Sequence, residues 1–188
     1  MKNEKFSAVS EQTLKTILQF GLNAVTFSRI SEGAGVSRGW LYKYVGKRPE
    51  DLIRAAALHF GTIAARLGEP TLAQDRESYL NHLVWALERL SVLSTENPWF
   101  LPLYHRYKGT PTLLGEVIAQ VEERLQNERI ADIRRCIPNP KMPPKNLAEI
   151  IIAADLALAF RWQHFPQKNQ ANLEEFRASA RILFAGIL

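Results

Sequence analysis

Apolar residues recur along this chain three and four positions apart, in stretches separated by Pro, Gly and Asn, and no stretch alternates as a half-buried strand would. The pattern predicts an all-α protein. Leu14, Ile17, Leu18 and Leu22 make the first stripe, with Ser10 placed to cap its helix. Thr26 caps a short second helix that turns Phe27 and Ile30 inward. Gly33-Ala34-Gly35 breaks it, and Ser37 caps a third helix through about Tyr44. Pro49, ahead of Glu50 and Asp51, opens a fourth that runs to about Leu67.

Further along, residues 76–93 keep the helical period, and Pro98 to Pro102 holds a turn of helix at most. Thr110-Pro111 opens a long helix ending near Ile137. PNPKMPPKN follows, with four prolines in nine residues, and reads as a loop. Asn146-x-x-Glu149 and Asn172-x-x-Glu175 have capping-box spacing at the starts of the last two helices. The first continues as LAEIIIAADLALAF, apolar nearly all the way round. The second sets Leu173, Phe176, Ala180, Leu183, Phe184 and Ile187 along one face. A helix apolar on every side needs cover on every side. The expected cover is a second copy of the chain, giving a homodimer through the last two helices. The alternative is a central core helix within one subunit.

Charge divides the chain. Residues 1–54 hold nine Lys/Arg against five Asp/Glu, while the other 134 hold fifteen against fourteen, so most of the net +5 sits in the first third. A basic module joined to a neutral one suggests a polyanionic partner, against the plain alternative of a solvated basic surface. With 46% apolar and 23% charged residues the composition is that of a soluble globular protein. Cys136 is the single cysteine, which excludes an internal disulfide and a Cys-based zinc site and fits a reducing compartment. MKNEKFSAVSEQ lacks a signal peptide's apolar run, and Leu147 to Phe165 is broken by Asp155 and Arg161. The expected location is the cytoplasm, with no membrane partner.

Three helices within 55 residues, the second and third joined by a glycine-containing turn, are a helix-turn-helix pattern. Ala34 and Gly35 supply small residues at the crossing, and Ile30, Val36 and Leu41 anchor the third helix. Its other face, with Ser37, Arg38, Gly39, Trp40, Tyr42 and Lys43, is then free. Arg38 can meet a guanine edge or a phosphate, and Ser37 with the helix-start amides suits a phosphate. Gly39 costs about 1 kcal/mol of helix propensity, which close approach of DNA would justify. The expected phosphate contacts are Thr26, Ser37, Tyr42, Lys47 and Arg48. The expected groove-facing set is Ser28, Arg38, Gly39, Trp40 and Lys43. Tyr44 is expected in the core.

From Leu14 to Ile53 the chain resembles the tetracycline-repressor-like (TetR) transcriptional regulators. The resemblance rests on Thr26, Ile30, Ala34-Gly35-Val36-Ser37, Gly39-x-Leu41-Tyr42-x-Tyr44-Val45, Lys47-Arg48 and Asp51-Leu52-Ile53. It departs from the family at Trp40, where Thr is common, and by one extra residue near Pro49, which leaves open whether Lys47 or Arg48 takes the family's basic position. It implies a DNA-binding domain over 1–54 and a helical ligand-binding and dimerisation domain over 55–188. The implied protein is a dimeric, ligand-responsive regulator, most simply a repressor, on a pseudo-palindromic double-stranded operator. The implied effector is a small molecule. A helical protein–protein interaction module is the alternative.

The second part offers less chemistry. Aromatics cluster over Pro98 to Gly109 and again over Phe160 to Phe165; Trp85, Phe100, Tyr104 and Phe160 are the candidate pocket walls, against the alternative that they simply fill core. Asp155, in an apolar helix, should meet a cation across the dimer or face a polar cavity. His59, His82, His105 and His164 are scattered without metal or catalytic spacing, so neither an enzyme nor a metal or other cofactor is expected.

Overall fold

The computed structural model describes residues 2–68, 71–164 and 170–188. Every regular element among them is helical: α1 (Lys2–Phe20), a 3-10 turn (Leu22–Ala24), α2 (Phe27–Gly33), α3 (Arg38–Tyr44), α4 (Pro49–Ala65), α5 (Arg76–Glu96), α6 (Phe100–Tyr107), α7 (Leu113–Cys136), α8 (Pro144–Gln163) and α9 (Gln170–Ile187). The chain divides into two units, Met1–Arg66 with Pro102–Val121, and Leu67–Leu101 with Glu122–Leu188.

In the first unit α1 packs on α2 and α4. Leu14, Ile17, Ile30, Leu41, Leu52, Ala56 and Phe60 are its fully buried centre. Helix α1 begins eight residues ahead of Ser10, which is a buried mid-helix residue and not a cap. The helical period extends back through Val9 and Phe6 once small hydroxyl residues count as buried positions. Thr13 makes that burial tolerable by donating to Val9 O at 2.8 Å, and Ser10 reaches Ala55 O at 3.5 Å. Gly35, in the turn between α2 and α3, has φ +63°, and a Cβ there would meet nothing within 4 Å. Its role is therefore backbone geometry and not the close crossing expected of it. Gly35→Ala should lower stability by about 1–2 kcal/mol through φ alone, read as a fall in thermal midpoint by far-UV circular dichroism.

In the second unit α5 packs on α8 and α9. Tyr79, Leu83 and Leu87 of α5 are fully buried, as is Phe184 of α9. Asp75 caps α5, accepting from Ser78 N at 2.8 Å, and this bond holds its carboxyl below the usual range. Ion pairs from Arg177 to Glu88 and from Arg181 to Glu77 join α9 to α5.

Several boundaries differ from the sequence pattern for local reasons. Pro98 to Pro102 leads into an eight-residue helix because Pro102 falls in its first turn, where no amide is required. Helix α7 starts at Leu113 and not at Thr110, with the Thr112 hydroxyl accepting from Gly115 N at 3.1 Å. Helix α8 starts at Pro144, ahead of Asn146, because a proline at the first helical position needs no donor. Glu149 accepts from Gln126 Nε2 at 3.0 Å and closes no capping box. Asn172 likewise lies inside α9.

Candidate functional site

Two hydroxyls start the helices of the helix-turn-helix. Thr26 Oγ1 accepts from Arg29 N at 3.3 Å, and Ser37 Oγ accepts from Trp40 N at 3.1 Å. Each satisfies one of the amides left open at a helix start. Ile30 and Leu41 are fully buried and Val36 is half-buried, so α3 is held on one side. Arg38, Gly39, Tyr42 and Lys43 are exposed on the other, as are Thr26 and Ser28. A Cβ at Gly39 would meet only Ser37 Oγ, at 3.9 Å, so the backbone there faces open space.

Trp40 is half-buried. Its ring lies 5.1 Å from Phe6 in an edge-on contact and 5.2 Å from Tyr44. The first two turns of α1 thus brace α3, a role that the sequence pattern does not assign to Phe6 because it starts the first helix later. Tyr44 is 37% exposed and not in the core; its ring lies tilted against Trp40, with the Lys43 ammonium 5.2 Å from its ring centroid. Tyr42 stacks on Phe27 at 4.6 Å and leaves its edge in solvent.

The start of α4 is tied by Asp51. Its Oδ2 accepts from the amides of Lys47 and Arg48, both at 3.0 Å, and these bonds, the Arg48 amide foremost, lower its pKa. The carboxylate sits so close over Gly46 that a Cβ there would lie 2.3 Å from Oδ2. The Arg48 guanidinium approaches Asp51 at 3.7 Å, whereas Lys47 and Arg38 have no ion-pair partner among the described residues.

The second unit contains a cavity of about 170 Å³ lined by Leu67, Thr71, His82, Leu125, Glu128, Arg129, Ala131, Asp132 and Arg135. Arg135 donates to Ala73 O at 2.8 Å, to Thr71 O at 3.1 Å and to Asp132 Oδ1 at 2.6 Å. Arg129 is an ion-pair partner of Asp155, Nη2 to Oδ2 at 3.5 Å. Of the two expectations for Asp155, a cation across a dimer or a polar cavity, the structure shows neither in full: its cation lies within its own subunit, and that cation, Arg129, lines a cavity with charged walls. Burial raises the Asp155 carboxyl to about 6 despite Arg129, and also raises Asp132. The Tyr79 hydroxyl and Asp155 Oδ1 are buried without hydrogen-bond partners. Arg129, Asp132 and Arg135 are spaced i, i+3, i+6, which places three charges on one face of a helix, a pattern visible in the sequence.

Of the predicted pocket walls, Phe100 and Tyr104 are buried, while Trp85 and Phe160 stand at the surface, and none of the four lines this cavity or a second one between α8 and α9. Phe165 lies outside the described residues. His59, half-buried in α4, has its pKa lowered by desolvation. No cluster of three or more His, Cys, Asp or Glu suited to a metal occurs among the described residues, and no helix among them is long and apolar enough to cross a membrane.

The chain has the fold of TetR-family transcriptional regulators. A structure from Chloroflexus aurantiacus, described as a TetR family transcriptional regulator, aligns over 100% of this chain and 93% of its own with a TM-score of 0.65 and 17% identity. A Clostridium perfringens protein with a provisional description as a fatty acid metabolism regulator aligns over 96% and 98% with a TM-score of 0.74 and 16% identity. The transcriptional regulator FadR from Bacillus subtilis, solved in complex with stearoyl-CoA, aligns over 96% and 98% with a TM-score of 0.64 and 14% identity. No family model and no curated protein matches the chain by sequence.

Proposed function

We propose that the chain is a DNA-binding transcription regulator that reads a pseudo-palindromic operator as a homodimer and is released from it by a small-molecule effector. The observation that carries the DNA reading is α3, locked by Leu41 on one side and presenting Arg38, Gly39 and Lys43 to solvent on the other. The basic surplus of residues 1–54 and the shared fold support it. On this reading residues 1–54 bind DNA, and residues 55–188 carry the effector and dimer functions. Thr26, Ser37, Tyr42, Lys47 and Arg48 contact phosphates, and Lys47, with no ion pair to give up, takes the basic position at the start of α4. Ser28, Arg38, Gly39 and Lys43 face base edges, and Trp40 steers them through its contact with Phe6.

The dimer is proposed from the outer faces of α8 and α9, where Ile150, Phe160, Ile182 and Leu183 are exposed together with Ala153 and Ala157. Half-sites then lie about one DNA turn apart or a multiple of it, so a small change in the separation of the two recognition helices weakens binding. Effector and operator affinities change by the same factor, because the coupling is reciprocal.

Selection from a randomised duplex library at two salt concentrations tests the reading. An inverted repeat should be enriched, with log K falling against log salt at a slope of roughly −5 to −7 for six to eight phosphate contacts. Retention without any enriched sequence would leave a helical interaction module as the better description. Arg38→Ala should cost about 1–3 kcal/mol of operator binding, concentrated at one base position. Fluorescence anisotropy with single-base operator variants reads this out, and a uniform loss over all variants would make Arg38 a phosphate contact.

A further inference from the structure

Arg129 is a guanidinium set on a cavity wall. It is 9% exposed, lines the 170 Å³ cavity of the second unit, and has the 3.5 Å approach of Asp155 Oδ2 as its single ion pair among the described residues. A guanidinium carries five N–H donors and does not deprotonate in a protein. None of the Arg129 nitrogens is buried without a partner, so the N–H groups that Asp155 does not take open to the cavity, where an acceptor can meet them. The other charges on the wall are engaged: Arg135 by Asp132 and two carbonyls, Glu128 by Arg124.

We propose that this cavity binds a small organic carboxylate, held by the Arg129 guanidinium in competition with Asp155. The fork of a guanidinium matches a planar carboxylate through two parallel bonds. Leu67, Leu125 and Ala131 give the carbon skeleton an apolar wall. Glu128 and Asp132 on the same wall oppose a dianion, which favours one negative charge over a phosphate ester. Asp155 is the weaker claimant, since burial already pushes its carboxyl up and leaves its Oδ1 without a partner. The volume lies below the roughly 300–1,000 Å³ of pockets for drug-sized ligands. A long acyl chain, such as that of the stearoyl-CoA held by the Bacillus subtilis regulator, does not fit it.

The inference rests on the reading of this unit as the effector-binding one, and its test needs no DNA. Benzoate and propionate are titrated calorimetrically into the full chain at pH 7.5, against benzamide and propionamide. The carboxylates should bind at least tenfold more tightly than their amides, and stearoyl-CoA should not displace benzoate. Arg129→Gln should weaken benzoate at least tenfold. Asp155→Asn, which removes the competitor and keeps the guanidinium, should strengthen it several-fold, an outcome that loss of folding cannot imitate. Equal binding of acid and amide, displacement by stearoyl-CoA, weakening in Asp155→Asn, or no saturation by either carboxylate at millimolar concentration would overturn the proposal. Repeating the titration with selected operator separates the two readings. Carboxylate binding that leaves operator affinity unchanged supports this site and removes the effector role, whereas operator binding without carboxylate binding overturns the site alone.

Discussion

Ile182→Glu combined with Leu183→Glu is expected to lower operator affinity by about 10²- to 10⁴-fold while leaving each subunit folded. Ile182 is 75% exposed and Leu183 is also at the surface of α9, so neither is needed for packing within its own subunit. Surface substitutions of this kind change subunit stability by about 0.5 kcal/mol or less. In the proposed dimer the same positions are buried, and an unpaired carboxylate there is costly. Two linked recognition helices bind far more tightly than one, because docking the first makes the second intramolecular. Sedimentation equilibrium should give the dimer mass for the parent chain and the monomer mass for the variant. Anisotropy should show the matching loss on a full operator and little change on a single half-site. A dimer that survives both substitutions would place the interface elsewhere.

The second large effect concerns pH. The Asp155 carboxyl stands near about 6 in the fold against 3.8 ordinarily, because burial disfavours its charge more than Arg129 favours it. A raised carboxyl binds its proton more tightly folded than unfolded. Stability from this group is therefore fully present below about pH 4, falls as pH rises to about 6, and is constant above that. The range corresponds to roughly 3 kcal/mol. The groups that act on it are Arg129 of α7 and, through the shared neighbourhood, Tyr79 of α5; Asp132 also acts on Tyr79 and is itself raised. Asp51 and Asp75 run the other way, with lowered values whose contribution is lost only in stronger acid. Urea unfolding at pH 4.5 and 6.5 should show Asp155→Asn with a flatter stability profile than the parent. Equal slopes in the two proteins would mean that Asp155 keeps an ordinary carboxyl.

The helix-turn-helix was legible because its signals are local. Thr26 and Ser37 cap the helices they were expected to cap, and Ile30 and Leu41 are the anchors their spacing indicated. Errors arose where a residue's role depends on something distant. Ser10 reads as a cap until Phe6 and Val9 are known to continue the stripe, and Tyr44 reads as core until Trp40 is seen to take the inner position. Of the aromatic residues of the second part, Trp85 and Phe160 are exposed and line neither of the two cavities described above. Charged residues three apart on α7 line the larger cavity instead, and their meaning depends on Asp155 of α8, twenty or more positions further along the chain.

Trp40 leaning on Phe6 has a consequence for how much the protein can know of a sequence. In the proposed DNA complex, with that ring committed to α1, the base-facing repertoire of each α3 contracts to Arg38, Gly39 and Lys43, and one of these has no side chain. Each half-site would then convey few bits. On that proposal discrimination among genomic sites passes to the distance between the halves, which makes spacing, more than spelling, the address that is read.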